Sequence, residues 1–102
     1  MINTIKQLLG MGPATDFKEL LAQGAIILDV RTPGEFRGGH ARGAVNAPLD
    51  KLGEYAQKLK NKDQVIITCC ASGVRSANAR GVLQSAGFKN VYNGGPWTNV
   101  NF

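Results

Sequence analysis

Short apolar runs alternate along this chain with segments whose apolar residues recur at helical spacing. Continuous apolar runs at 25–30 and 64–69 predict buried parallel strands, and shorter ones at 44–47 and 90–92 predict two more. Between and around these runs, apolar residues three and four positions apart predict helices, including a short one over 2–10. Because strands alternate with helices, the pattern predicts an α/β fold with a mainly parallel sheet.

The predicted helices have recognisable boundary residues. Asp16, Thr32 and Asp50 are expected as N-caps, and glycines close two helices at positions 24 and 87. Gly81 interrupts the helix that follows the third strand, and we expect it to allow a close approach to the sheet. Asn93-Gly94-Gly95-Pro96 is expected to turn the chain away after the last strand.

Composition narrows the class of protein. A chain of 102 residues predicts one domain, which we place at 14–102 after a helical extension at 1–13. The net charge of +5 comes from scattered lysines, so the sequence favours a small anionic ligand and predicts no nucleic-acid partner. No apolar run is long enough to span a membrane, and no membrane partner is expected. Two adjacent cysteines without a disulfide framework or secretory signal predict a reducing, cytoplasmic location.

The stretch at 65–76 concentrates the candidate chemistry. An apolar strand ends in Cys69 and Cys70, small residues follow, and Arg75 opens the next helix. A tight strand-to-helix loop directs backbone N–H groups into one concavity, and the helix N-terminus adds partial positive charge. Each of these features stabilises a thiolate, which is the nucleophilic form of cysteine. The sequence therefore predicts a reactive thiol at this turn.

Four stretches of the chain resemble the rhodanese family of thiosulfate sulfurtransferases: 28–36, 39–48, 70–76, and 91–95 followed by Trp97. The resemblance implies a rhodanese-like α/β fold, with a central parallel sheet of about five strands between helices in three layers. It also implies that Cys70 is the nucleophile of a ping-pong cycle through a persulfide. The persulfide-binding loop would be formed by Ala71, Ser72, Gly73, Val74 and Arg75.

The implied reaction moves sulfane sulfur from a thiosulfate-like anion to a thiol, cyanide or carrier-protein acceptor. It requires no metal and no organic cofactor. Asp29, at the end of the first apolar strand, is expected to pair with Arg75 and so fix the geometry of the loop. Arg31 either faces the pocket, where it favours an anionic donor, or pairs with Glu35. His40 is expected to make a structural hydrogen bond.

Two alternatives remain open at the level of sequence. Counted from Cys69, the loop reads C-x5-R, the signature of phosphatases and arsenate reductases that use the first cysteine. Counted from Cys70 it reads C-x4-R, the sulfurtransferase spacing, in which case Cys69 points into the core or resolves the persulfide. The second alternative to a sulfurtransferase is that the domain is a non-catalytic sulfur carrier or regulatory module. A sulfurtransferase and a sulfur carrier would use the same loop.

Overall fold

The computed structural model of the chain describes residues 15–102. Strands and helices alternate throughout this part, as the apolar pattern predicts, and two short 3-10 turns complete the secondary structure. The elements in chain order are α1 (Phe17–Ala22), β1 (Ile26–Asp29), α2 (Pro33–Arg37), β2 (Val45–Asn46), a 3-10 turn (Leu49–Lys51), α3 (Leu52–Lys58), β3 (Ile66–Cys70), α4 (Val74–Ser85), β4 (Val91–Pro96) and a second 3-10 turn (Trp97–Val100).

The described strands form one parallel sheet in the order β2-β1-β3-β4. In the centre, Leu28 of β1 is in register with Thr68 of β3, and Asp29 with Cys69. The predicted α/β class and parallel sheet are confirmed, with four strands in residues 15–102 where about five were expected. Parallel strands end at one edge of the sheet, so the C-terminal residues of β1 and β3 lie side by side there.

Side-chain alternation along β3 divides the core into two layers. Ile66 and Cys70 pack with Leu52 of α3 and Leu83 of α4 on one face. On the other face Ile67 and Cys69 pack against α1 and the C-terminal 3-10 turn, whose contributors include Phe17, Leu20 and Val100. Because successive strand residues point to opposite faces, the two neighbouring cysteines belong to different layers.

Two of the three predicted N-caps are present. The Asp16 carboxylate accepts a hydrogen bond from the Glu19 amide at 3.0 Å, and Thr32 forms a reciprocal capping box with Glu35. The prediction for Asp50 is wrong. After Pro48 the chain first enters a 3-10 turn that contains Asp50, so α3 begins one turn later and has no side-chain cap.

The turn predicted at 93–96 is also wrong, because β4 continues through these residues to Pro96. Its pairing with β3 shifts register between Thr68 and Cys70, as at a β-bulge. Gly94 allows β4 to lie this close to β3, because a Cβ there would lie 2.9 Å from both Ile67 Cγ2 and the Thr68 carbonyl oxygen. Gly81, in contrast, faces open space, so the expected close approach to the sheet is wrong.

The predicted helix at 2–10 and the proposed boundary between 1–13 and 14–102 fall on residues outside or at the edge of the described part. Within residues 15–102, no helix combines the length and the apolar character that crossing a membrane requires.

Candidate active site

Cys70 is the last residue of β3, and three residues separate it from α4. Gly73 ends this short loop with a φ of +102°, in the left-handed region that favours glycine. A Cβ on Gly73 would also approach the Gly95 Cα to 3.3 Å, so the loop and the end of β4 are in close contact. The glycine therefore allows the chain to reverse tightly enough that the start of α4 returns to the cysteine.

The Cys70 sulfur lies inside the concavity of this loop. The Gly73 amide donates to Sγ at 2.9 Å, and the Ser76 amide does so at 3.4 Å. The Ser76 hydroxyl oxygen lies 3.4 Å from the same sulfur. Cys70 itself is fully buried, but two backbone N–H groups are directed at its sulfur and the Ser76 hydroxyl lies beside it. The loop thus has the geometry of a small anion site built around one sulfur atom.

These contacts shift the ionisation of Cys70 toward the thiolate. Burial raises the pKa of its thiol, but hydrogen bonds from the Ser76 side chain and from the Ser76, Gly73 and Ser72 amides outweigh burial and lower the pKa. Hydrogen bonds that favour the charged form act in this direction in general. Cys70 is therefore the cysteine whose surroundings favour the thiolate.

Cys69 has the opposite environment. Its side chain packs in the other layer of the core, with Ile27, Ile67 and Val100, and is fully buried. Burial, reinforced by the charge of Asp29, raises the pKa of Cys69 to about 12. A thiol in such surroundings stays protonated and is a poor nucleophile at neutral pH.

Arg75 contributes to the site through an ion pair with α2. Its guanidinium donates to both carboxylate oxygens of Glu35, Nη1 to Oε1 at 2.8 Å and Nη2 to Oε2 at 3.0 Å. This bidentate pair, together with the bonds from Thr32, lowers the pKa of Glu35 to about 2. The prediction that Asp29 pairs with Arg75 is wrong, because Glu35 occupies the guanidinium. Arg75 thereby ties the beginning of α4 to α2.

Asp29 instead forms a buried ion pair with Arg31. Arg31 Nη2 lies 2.7 Å from Asp29 Oδ2 and also donates to the Gly39 carbonyl at 2.7 Å. Its guanidinium carbon stacks 5.1 Å from the centre of the Trp97 ring. Neither of the two predicted positions of Arg31, facing the pocket or paired with Glu35, is observed. The pair therefore connects the end of β1 to the segment that follows α2, because Arg31 bonds both Asp29 and Gly39.

The remaining loop residues differ in exposure. Ala71 and Ser72 are exposed, and the Ser72 hydroxyl accepts from the Val74 amide at 3.5 Å. Val74 is 75% exposed, an unusual fraction for a valine.

Beside the loop, an open pocket of about 410 Å³ is lined by Val30, Thr32, Pro48, Leu49, Asp50 and Arg75. This concave surface is mostly apolar, is also lined by the charged Asp50 and Arg75, and adjoins the helix that carries the sulfur-binding amides.

Two side chains for which the sequence predicts no individual role complete the site. Ser76 is buried and contacts the sulfur, and the exposed Asn93 of β4 contacts the Ser76 hydroxyl. In the sequence, Asn93 is marked by its position directly before Gly94-Gly95, within the 91–95 stretch that resembles the family. His40 has the structural role predicted for it, since Nδ1 lies 2.7 Å from the Phe36 carbonyl and its ring stacks on the Phe36 ring at 3.7 Å. Among residues 15–102, no three His, Cys, Asp or Glu side chains cluster as metal ligands would.

Comparison with known proteins identifies the class. The sequence profile of the rhodanese-like domain matches residues 13–95, and the chain belongs to this family. The structure superposes on a solved rhodanese from E. coli with a TM-score of 0.70 and 28% identity, covering 76% of this chain and 92% of the other. Both results confirm the resemblance found in the sequence.

Two curated relatives illustrate the range of proteins that contain this domain. A chloroplastic thiosulfate sulfurtransferase of Arabidopsis thaliana is 39% identical over 85 residues, 72% of this chain and 70% of the relative. A tRNA uridine(34) hydroxylase of Listeria welshimeri is 39% identical over 83 residues, 76% of this chain and 26% of the relative. The chain thus spans only about a quarter of the length of that bacterial relative.

Proposed function

We propose that this chain is a sulfurtransferase in which Cys70 carries sulfane sulfur as a persulfide. The observation that carries the proposal is the hydrogen bond from the Gly73 amide to Cys70 Sγ at 2.9 Å, within a loop that lowers the pKa of this thiol. A thiolate held by preorganised N–H groups is both a ready nucleophile and a good leaving group. Membership of the rhodanese-like family and a sulfurtransferase relative support sulfur as the transferred atom.

In the first half-reaction the Cys70 thiolate attacks the outer sulfur of a thiosulfate-like donor. A bond forms between Cys70 Sγ and that sulfur, and the bond to the sulfonate sulfur breaks, so sulfite leaves with the electron pair. The negative charge now lies on the outer sulfur of the persulfide. The amides of Ala71, Ser72, Gly73, Val74 and Arg75 are the groups that we propose to stabilise it.

In the second half-reaction a thiol, cyanide or carrier protein attacks the outer sulfur. The bond between the two sulfur atoms breaks, and Cys70 leaves as the thiolate that the loop already favours. The lowered pKa of Cys70 helps here as well, because a less basic thiolate departs faster. Both half-reactions need only the thiol and the donor groups around it, with the Arg75–Glu35 pair holding the start of α4 in place.

The phosphatase alternative gains no support from the geometry. It requires Cys69 as the nucleophile, yet Cys69 lies in the opposite layer of the core with a pKa of about 12. The hydrogen bonds of the loop converge on Cys70. A loop that cradles the second cysteine leaves the first without donors for a tetrahedral oxyanion.

The carrier alternative rests on a different observation. In the Listeria tRNA uridine(34) hydroxylase the matching region is 26% of a larger protein, so a domain of this family also occurs beside other activities. A carrier and an enzyme share the Cys70 persulfide and differ in whether they turn over with small molecules. The acceptor is therefore the point on which the two functions diverge.

Steady-state turnover with thiosulfate and cyanide, followed as thiocyanate, tests the proposal. We expect repeated turnover in the wild-type protein and in Cys69→Ser, and none in Cys70→Ser. A protein that takes up one sulfur from thiosulfate but releases no thiocyanate would overturn the enzyme in favour of the carrier. Turnover retained in Cys70→Ser would exclude Cys70 as the sulfur-bearing residue, and an aryl phosphatase activity lost in Cys69→Ser would restore the phosphatase alternative.

A further inference from the structure

Asn93 lies directly behind the Ser76 hydroxyl that faces the Cys70 sulfur. The Ser76 Oγ is 2.6 Å from Asn93 Oδ1, a short distance for an O–H···O hydrogen bond. The Gly95 amide donates to the same Oδ1 at 2.9 Å, and because a backbone amide can only donate, this contact identifies the atom as the oxygen. Asn93 Oδ1 is therefore a hydrogen-bond acceptor aimed at Ser76.

The Ser76 hydroxyl has one proton and three acceptors within reach. Asn93 Oδ1 lies at 2.6 Å, the Gly73 carbonyl at 3.1 Å and Cys70 Sγ at 3.4 Å. When Cys70 is a neutral thiol, its S–H donates to Ser76 Oγ and the serine proton is free to bind the nearest acceptor, Asn93. When Cys70 is a thiolate, a Ser76 hydroxyl that still donated to Asn93 would turn its Oγ lone pairs toward a negatively charged sulfur. The ionised form therefore requires the hydroxyl to rotate.

We propose that Asn93 is a positioning residue that accepts the hydrogen bond of the Ser76 hydroxyl while Cys70 Sγ is uncharged, and that the hydroxyl rotates to donate to Sγ when Sγ becomes a thiolate. The Asn93 oxygen keeps its bond from Gly95 in both states, so it does not lose its last partner when the serine turns away. Asn93 thus competes with the sulfur for a single donor and acts on Cys70 through Ser76.

Applied to the proposed sulfurtransferase cycle, on which this part of the inference rests, the competition follows the charge. The inner sulfur carries the charge when Cys70 attacks the donor and again when it leaves. In the persulfide the charge lies on the outer sulfur, and the Ser76 hydroxyl donates its hydrogen bond to Asn93 again. The hydroxyl therefore stabilises the inner sulfur in the two states in which that sulfur is anionic and withdraws in the state between them.

A pH titration of the thiolate ultraviolet absorbance tests this role without any sulfur donor. It compares the wild type, Asn93→Ala, Ser76→Ala and the double variant, with Cys70→Ser as the blank for the tyrosines. Removing the competing acceptor should raise the thiolate-to-thiol ratio at fixed pH about threefold, the scale of one net hydrogen bond. Ser76→Ala should lower the ratio, and Asn93→Ala should have no further effect in that background.

The Asn93 side chain also donates to the Gly73 carbonyl at 3.3 Å, so the test must separate the serine from the loop. If the alanine substitution changes the ratio equally with and without Ser76, Asn93 acts through the loop and the proposal is wrong. Asn93→Asp provides a second arm, because it keeps an acceptor for Ser76 and Gly95 and adds a negative charge. We expect it to lower the ratio, opposite to Asn93→Ala, whereas a disordered loop would shift both variants in the same direction and overturn the proposal.

This experiment and the turnover assay fail separately. An absent coupling between Asn93 and Ser76 would remove the positioning role and leave sulfur transfer by Cys70 intact. An absent turnover with thiosulfate would remove the sulfurtransferase proposal and leave the competition for the serine proton intact.

Discussion

At the scale of single residues, the contrast between Cys69 and Cys70 follows from strand alternation. One side chain enters the core layer beside α1, and the other meets the amides that open α4. Burial dominates for the first, whose pKa rises to about 12, and hydrogen bonds dominate for the second, whose pKa falls. Two identical neighbouring thiols thereby acquire opposite tendencies to ionise, and the hydrogen-bond partners of Cys70 Sγ within residues 15–102 are uncharged groups, among them those of Gly73 and Ser76.

The raised pKa of Cys69 predicts a loss of stability at alkaline pH. Below about pH 9 this thiol is protonated in both the folded and the unfolded chain, so it has no effect on pH dependence. Between about 9 and about 12 the unfolded chain loses the proton and the folded chain keeps it, which favours unfolding by at most about 1.4 kcal/mol per pH unit.

Cys69→Ala removes this alkaline penalty while it creates a small cavity. Its free energy of unfolding, measured by urea denaturation, should be below that of the wild type at pH 7, and the difference should narrow as the pH rises above about 9. A difference that stays constant across this range would mean that Cys69 ionises as readily in the folded protein as in the unfolded chain.

The residue scale also sets the limit of what the sequence could predict about the site. The strand-to-helix pattern was enough to predict the loop whose amides converge on a cysteine sulfur, although the spacing to Arg75 left both cysteines open. The partner of Arg75 was predicted incorrectly, because Asp29 and Glu35 both precede the loop by about 40 residues and only the fold decides which reaches it. Asn93 could not be predicted, because its contact with Ser76 depends on where β4 ends.

At the scale of elements, the loop after β3 is held from two sides. The Arg75–Glu35 pair attaches the beginning of α4 to α2, and Asn93 and Gly95 attach the loop to β4. Because the pair is partly exposed, its contribution to overall stability is small and its main effect is on the position of α4. The sulfur-binding amides therefore depend on three elements distant from one another in sequence.

Gly94 is the residue on which the course of β4 past the loop depends. A methyl group there would be 2.9 Å from Ile67 Cγ2 and from the Thr68 carbonyl oxygen, and 3.1 Å from Val100 Cγ1. Gly94→Ala should lower the free energy of unfolding by about 1–3 kcal/mol, the usual effect of overpacking. Urea denaturation measures this effect.

Gly81→Ala is the matched control, since a Cβ at Gly81 meets nothing within 4 Å and the position is inside α4. It should leave stability unchanged or raise it by about 0.5–1 kcal/mol, as alanine does in helix interiors. Equal effects of the two substitutions would contradict the close packing of β4 against β3.

Element types were more predictable than element ends. Apolar runs identified the described strands, and Thr32-Pro33-Gly34-Glu35 gave the start of α2 through local capping chemistry alone. The start of α3 and the end of β4 were predicted incorrectly, because a 3-10 turn in one case and a sheet register shift in the other depend on packing. Local rules determine caps, whereas tertiary contacts determine how far an edge strand runs.

At the scale of the whole molecule, the chain is a rhodanese-like domain with Cys70 at the C-terminal edge of a parallel sheet. Its two buried layers come together at β3, the strand that carries both cysteines. The family was predictable from sequence because four short stretches resemble it in their order and spacing, and the family profile matches residues 13–95, which contain these stretches. The sulfur acceptor was not predictable from sequence. An acceptor would bind exposed surface, and the exposed Val74 with the adjoining pocket fits several chemical classes of acceptor.

The central claim is that Cys70 accepts sulfur as a persulfide, and mass spectrometry after treatment with thiosulfate tests it most directly. The wild type and Cys69→Ser should each gain the mass of one sulfur atom, and fragmentation should place it on Cys70. Cys70→Ser should gain nothing. An unchanged mass in the wild type, or added sulfur that maps to Cys69, would contradict the account.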